Sequence, residues 1–540
     1  MRTLASSLLT AILLPLLTLP AGAQVFSWAQ GQPFSFQRNP ALVKTVAAPS
    51  LDYQGVWWSA PEQHRYHYGQ DELSSVRVQR VDAAGTVRAQ RLVEGNLVLH
   101  HAVLAPDGGV YLVGGFRDSL VFDAQHRLAP AGVNLTYFLA RLDSAAQVDW
   151  VRPLRTPSVI RAQDVGGLAV DPLTHDVWVA YDIYSDSYLT RFTATGDSVT
   201  SFLQHDVNRI TSVAVAPDGT VYTAGSCAGP AATYNGLSAP TSLSYSDYVA
   251  CYEPSGHCRW VRYVESITCG STYVSTADTS GVYMAGNLYG VVQFGSFTAG
   301  QQGALFGNYY VTRLTRTRGD FQWVQSAPVA QGTVELAPSG ALATDQAGRA
   351  WLLITHNARY SWPGGYALTP PTGGALGLIC YDQQGQLAAA IGNTGQNAQA
   401  RSLMISPFSH HGTLTGLAPR GGAQLGPVSL PATGQGDLLP FVASFDIIYL
   451  LGQPENPALP GFSLSPNPAL PGSTIALTGL LESGAPPREV IVFDAMGRLV
   501  SRQLPSASTP ALVAPSQPGL YAVRVRHASG RTLTTRLIVD

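Results

Sequence analysis

Lysine is all but missing from this sequence of 540 residues: Lys44 is the only one, and Asp, Glu, Lys and Arg together make up 12%. With a net charge of -2 the chain carries no electrostatic footprint for nucleic acid or for an anionic membrane surface. The remaining basic residues are arginines, as a GC-rich coding sequence produces. Long apolar runs are lacking as well. After the first 23 residues no stretch approaches the ~18 to 20 apolar residues of a membrane helix, and residues 441–451 are interrupted by Asp446. Cysteine is scarce, with five in all and no CxxC or Cys/His ligand spacing, so no zinc site is expected. A GxSxG elbow, a Walker loop and an HExxH helix are all absent, and no cofactor is expected.

What is present begins with an export signal. Arg2, an apolar run from Leu8 to Leu19 broken by Pro15, and the small residues Ala21-Gly22-Ala23 form a secretory signal peptide over residues 1–23, with cleavage between Ala23 and Gln24. Export makes disulfides possible. Cys251 and Cys258 flank the turn YEPSGH and are expected to face one another across a hairpin within bonding reach. Cys227 with Cys269 follows by elimination, which leaves Cys380 as the odd thiol.

The apolar content of 45% is arranged as a repeat. Its first part is a strand, an Asp/Ser/Gly turn and a second strand, as in AVLAPDGGVYLVGG (102–115), VAVAPDGTVYTAG (213–225) and VSTADTSGVYMAG (274–286). Its second part is another hairpin, as in YFLARLDSAAQVDWV (137–151), YVACYEPSGHCRWV (248–261) and YYVTRLTRTRGDFQWV (309–324). Four strands per unit follow. The residues Trp57, Tyr111, Trp178, Tyr222, Tyr283, Trp351 and Leu414 mark successive units, at steps of 44 residues (Trp178 to Tyr222) to 68 (Tyr283 to Trp351). A four-stranded repeat with variable loops is the signature of propeller blades.

The last unit reaches a third strand at FVASF (441–445) and then runs out, whereas VFSWAQ (25–30) has the character of an outer strand. Borrowing that strand from the N-terminus closes a ring of sheets over residues 24–451 and hides open edges. The DxxGxVYxxG hairpin, the F/Y-V-x-R/K-x-D hairpin and the x-W-V strand resemble the bacterial family of seven-bladed β-propeller repeats. The resemblance spans roughly residues 25–450, and HDVWVAYDIYS departs from it by lacking the final glycine. It implies a fold and no particular activity.

A proline-dense linker, 452–463, separates this from a second all-β pattern over 464–540. Its strands read as a small Ig-like β-sandwich. The fold class expected is therefore all-β, a seven-bladed β-propeller followed by that sandwich. Pro466, Asn467 and Pro468 of SPNPA, Asp494 and Gly497 of VFDAMGRLV, and Gly519 and Tyr521 of PGLYAVRV resemble the type A sorting domain of the type IX secretion system. The resemblance implies passage through the periplasm, recognition by the outer-membrane translocon, cleavage near residues 453–463, and release or attachment at the cell surface.

Chemistry is harder to read. Arg318-Gly319-Asp320 is an RGD triplet, but it occupies a turn where Gly and Asp serve geometry alone. HRYHYGQDE (64–72) gathers two histidines and two acids in what reads as a solvated loop. Loops that enter the innermost strands of a propeller converge on one face. They carry His100, His101, Asp164, His205, Asp206, Arg209, Glu335 and Arg401, a set able to bind a ligand or do acid-base work, although Asp and His before a strand are also ordinary turn residues. The expected function is an exported module that binds a glycan or protein, or serves in adhesion; the alternative is a secreted polysaccharide hydrolase or lyase.

Overall fold

A computed structural model describes residues 26–447 and 463–539, apart from 32–46, 50–55, 62–65, 69–70, 83–84, 131, 133, 156–161, 163, 266–269, 277–280, 302–306, 329–331, 371–373, 393–397, 406–410, 420–421, 426–427, 431–437, 479–486, 495–498, 504–510 and 528–531. The chain divides into two compact units, one up to Leu451 and one from Gly452.

In the first unit, alternating strands joined by Asp-Gly turns fold into consecutive four-stranded antiparallel sheets. At one such turn Gly219 adopts a φ of +79° and donates its N–H to the Ala216 carbonyl at 2.9 Å, a conformation that glycine reaches without steric cost. The first sheet uses Ala47–Pro49, Val56–Pro61, Asp71–Val81 and residues 87–93. The strand Val87–Leu104 then continues as the first strand of the next sheet, with Val110–Phe116, Thr136–Leu142 and Val148–Pro153. The third sheet runs Asp164–Val170, Val177–Ile183, Asp186–Phe192, and the start of Ser198–Val215, whose remainder opens the fourth. The fourth adds Val221–Tyr234, Ser246–Tyr252 and Cys258–Glu265. The fifth is Thr272–Ser275, Val282–Leu288, Asn308–Leu314 and Phe321–Ser326. The sixth has a split first strand, Val334–Leu336 and Leu342–Thr344, followed by Ala350–His356, Ala375–Tyr381 and Leu387–Gly392.

The last sheet is Gln399–Ile405, His411–Pro419, Leu438–Asp446 and, as its outer strand, Phe26–Gly31 from the N-terminus. Phe26 lies opposite Phe445, Trp28 opposite Ser444 and Gly31 opposite Phe441. First strands of neighbouring sheets touch in sequence around the whole set, and that of the last, Gln399–Ile405, touches Ala47–Pro49 of the first. A cycle of antiparallel four-stranded sheets is the architecture of a β-propeller, and the first strand of each sheet is its inner one.

Two kinds of contact explain the repeat. In the second strands of the fourth and fifth sheets, a Cβ on Gly225 or Gly286 would fall 2.6 Å from the ring of Tyr248 or Tyr310 on the third strand. The glycine lets the tyrosine lie across the sheet. In the third sheet Tyr181 replaces the glycine and stacks on Tyr188, centroids 5.8 Å apart and planes within 13°. The other contact ties sheet to sheet. Trp150, Trp260 and Trp323 on outer strands donate Nε1–H to turn carbonyls of Ala194, Arg316 and Gln383 in the following sheet, at 2.8, 2.9 and 3.0 Å. Each indole covers a turn glycine of positive φ, Gly196, Gly319 and Gly385. The glycine of the RGD triplet thus has a packing role.

Short hairpins inserted between second and third strands account for the unequal unit lengths. Val291–Phe294 with Phe297–Gly300, and Ala423–Leu425 with Val428–Leu430, are two of them, and the second touches the outer strand Phe26–Gly31. Covering an outer strand blunts an edge that would otherwise pair with other chains.

The expected Cys251–Cys258 disulfide is not formed: both cysteines are free and buried. A register shift beside Cys251 sets it opposite Trp260, while Cys258 lies opposite Tyr252. Successive side chains point to opposite faces of a strand, so Cys251 packs with Tyr222 and Trp260 and Cys258 with Tyr234 and Tyr248, on either side of the sheet. Burial pushes both thiols up to about 12, and Cys380 is buried as well. Cys269 and the side chain of Cys227 lie outside the described residues.

In the second unit, Ser463–Ser465, Thr474–Thr478 and Ala511–Val513 form one sheet, and Pro487–Asp494, Leu499–Gln503, Gly519–His527 and Thr532–Val539 the other. Ile475, Leu477 and Leu512 of the first share a core with Val490, Val523 and Leu537 of the second.

Candidate ligand face

Because each unit runs down, up, down and up, the inner strand begins at the same end of the ring at which the second strand finishes and the third begins. Asp164 opens the inner strand of the third sheet, accepting the Val165 N–H at 2.8 Å and pairing with Arg209 at 3.3 Å. Arg209 stands near the start of the fourth inner strand, so this ion pair joins neighbouring sheets. His205 Nδ1 lies 2.7 Å from Asp186 Oδ1, which also accepts the Asp206 N–H at 3.2 Å. Asp206 has a φ of 52° and is the extra residue of a bulge between His205 and Val207. Asp164, His205, Asp206 and Arg209 therefore gather at one junction.

The other expected residues do not join them. His100 is the extra residue of a bulge between Leu99 and His101, 5% exposed, with its ring 5.8 Å from that of Tyr137. His101 is half-buried opposite Val113. Arg401 is likewise a bulge residue, 6% exposed, donating to Ala400 O at 3.3 Å and Gln399 Oε1 at 3.1 Å; burial lowers it to about 10. Glu335 is exposed on its own strand opposite Thr355. The side chains of His64 to Glu72 lie outside the described residues, and among the described residues no group of His, Cys, Asp or Glu is placed to hold a metal.

Sequence reasoning passed over the loops between second and third strands. Asp182, opposite Asp164, is raised to about 7 by burial, against the stabilising bond from Ser187 Oγ at 2.5 Å. Its Oδ1 also accepts the Ile210 N–H of the next inner strand at 3.4 Å. The same position of the second strand does the same elsewhere: Asn287 accepts the Leu336 N–H at 3.0 Å and Thr355 the Ala400 N–H at 3.1 Å. Asp182 is thus a strut between sheets, closed off from a substrate. Asp247 is also raised to about 7 by burial, against the stabilising bonds from Thr272 and from Tyr310, which donates at 3.0 Å. Among the described residues the exposed aromatic side chains are Tyr184 at 75%, Tyr245 at 67% and Tyr289 at 47%, and all three lie in these same loops.

In the second unit, Asn467 Oδ1 accepts the Ile538 N–H at 2.8 Å and Ala469 donates to Ile538 O at 2.9 Å, so the Pro466-Asn467-Pro468 segment holds the final strand. Pro466 and Pro468 are exposed. Tyr521 donates its hydroxyl to Gln517 O at 2.7 Å, two residues before Gly519. Asp494 ends a strand, whereas its side chain and Gly497 lie outside the described residues.

No protein-family model matches the chain, and no curated protein matches it. Among solved structures it is similar to hydrazine synthase of Kuenenia stuttgartiensis, at 14% identity and a TM-score of 0.42, over 70% of this chain and 94% of that one. It is similar also to the Dos1 propeller, at 10% identity and 0.38, over 77% and 95%. A Lactobacillus plantarum protein matches at 13% identity and 0.36, over 66% and 93%.

Proposed function

We propose that the chain is an exported seven-bladed β-propeller that binds a glycan or protein at the face where its inner strands begin, delivered by an Ig-like type IX sorting domain at its C-terminus. The observation that carries the reading is the inequality of the two ends of the ring. At the turn end the same tryptophan-glycine contact recurs at three junctions between sheets. At the entry end neighbouring sheets carry different exposed polar groups, among them the pairs Asp164–Arg209 and His205–Asp186. Concave, chemically varied ends of a rigid scaffold are where ligand sites are built.

The full chain incubated with a panel of polysaccharides and surface proteins, with product analysis, tests the reading. Retention without turnover supports it; new reducing ends support the hydrolase or lyase alternative. Delivery is tested apart: removal of residues 464–540 is expected to strand the chain in the periplasm, and surface or medium localisation of the truncated chain would refute the sorting role.

A further inference from the structure

Single exposed apolar side chains are common and need no explanation. Three tyrosines on equivalent loops of consecutive sheets do. Tyr184 sits in the tight turn between Ile183 and Asp186, Tyr245 just before the strand Ser246–Tyr252, and Tyr289 just after Val282–Leu288. These are the third, fourth and fifth sheets, at the entry end of the ring. Ring surface left in water at three successive stations costs free energy that burial elsewhere would have recovered.

Polar groups accompany the rings. Asp186, paired with His205, lies two residues from Tyr184, and Ser244, which donates to Glu265 at 3.3 Å, is next to Tyr245. In this zone Asp164 pairs with Arg209 and Asp186 with His205, while Asp206 and Glu265 add exposed carboxylates. Such a set offers hydrogen-bonding edges and no cluster of cations to draw in an anionic polymer. Flat amphipathic rings beside such edges suit a molecule with apolar faces and a hydroxylated rim.

We infer that Tyr184, Tyr245 and Tyr289 form a binding arc for an extended, uncharged polysaccharide, each ring stacking on a sugar face while the neighbouring polar pairs bond its hydroxyls. The inference rests on the binding reading above and narrows it to one ligand class.

The test uses the full chain in affinity electrophoresis through gels holding an uncharged α-glucan, β-glucan, mannan or galactan, with polygalacturonate and chitosan as charged comparisons. One or more uncharged polymers are expected to retard the chain equally at low and high salt, since no net charge drives the contact. Tyr184→Ala, Tyr245→Ala and Tyr289→Ala are each expected to weaken retardation about tenfold, as truncation of an aromatic anchor does, while the Phe variants keep most of it. Leu173→Ser, at a site 62% exposed on a turn at the opposite end, is expected to change nothing. Unaltered retardation in the three Ala variants overturns the arc and leaves the binding reading standing. Salt-sensitive retardation by the charged polymers alone overturns the uncharged ligand class, and retardation by no polymer overturns the glycan class while a protein ligand stays open. Release of new reducing ends overturns the binding reading itself.

Discussion

The two ends of the ring are built by different rules. At the turn end one contact is repeated, an outer-strand tryptophan over the turn glycine of the next sheet, with donor distances that vary only from 2.8 to 3.0 Å. At the entry end a repeated bond is also present, from a second-strand side chain to the next inner strand. Its acceptor nevertheless changes from Asp182 to Asn287 to Thr355. Loops there carry exposed tyrosines in the third, fourth and fifth sheets and hairpins of various lengths in several. The turn end is constrained where an outer-strand ring must seat on a turn glycine of the next sheet, as Trp150, Phe202, Trp260 and Trp323 do. The entry end is free to differ, which is what a ligand face requires.

The comparison can be broken most severely where the ring closes. Deleting residues 26–31 removes the outer strand of the last sheet, with Phe26 buried against Phe445. A loss of about 4 kcal/mol or more is expected, read from chemical denaturation; parental stability would mean that the strand does not close the ring. At the turn end, Trp323→Ala is expected to cost about 3 kcal/mol, since it empties a buried site and frees the Gln383 carbonyl. Gly286→Val is expected to cost about 2 kcal/mol by driving a side chain into Tyr310.

The entry end should respond to pH. Asp182 and Asp247 are raised to about 7 in the folded chain, whereas an unfolded aspartate titrates near ~4. Between those values the folded chain keeps protons that the unfolded chain has released. Stability is therefore greatest at and below about pH 4 as far as these groups decide it, falls as pH rises towards 7, and levels off above. Melting temperatures of Asp182→Asn and Asp247→Asn across this range are expected to decline less than those of the parent. The smallest effect is expected for Arg318→Ala, at an exposed RGD residue: stability within about 0.5 kcal/mol of the parent.

Much of the scaffold was legible because its signals are local. Alternation and Asp-Gly turns fix each hairpin within about a dozen residues, and the second-strand aromatics Trp57, Tyr111, Trp178, Tyr222, Tyr283 and Trp351 stand at readable steps. The pairing of Phe26–Gly31 with Leu438–Asp446 could be inferred because one strand was missing and another was spare. The Cys251–Cys258 bond failed on a single bulge, since one extra residue turns a side chain to the other face. His100 and Arg401 failed for the same reason: bulge positions look like loop residues in sequence and are buried in the fold. Among 24 tyrosines, most of them strand residues, nothing local distinguishes Tyr184, Tyr245 and Tyr289 as exposed. Their placement depends on where each hairpin leaves and re-enters its sheet.

The division of labour between the two ends is tested most directly by measuring melting temperature and polysaccharide affinity side by side for Trp260→Ala and Tyr245→Ala. The expected result is a lowered melting temperature with affinity kept, while folded, for the first, and an unchanged melting temperature with affinity weakened about tenfold for the second. If both substitutions moved stability and affinity together, or if Tyr245→Ala alone destabilised the ring, the two ends would not be separable and the account would fail.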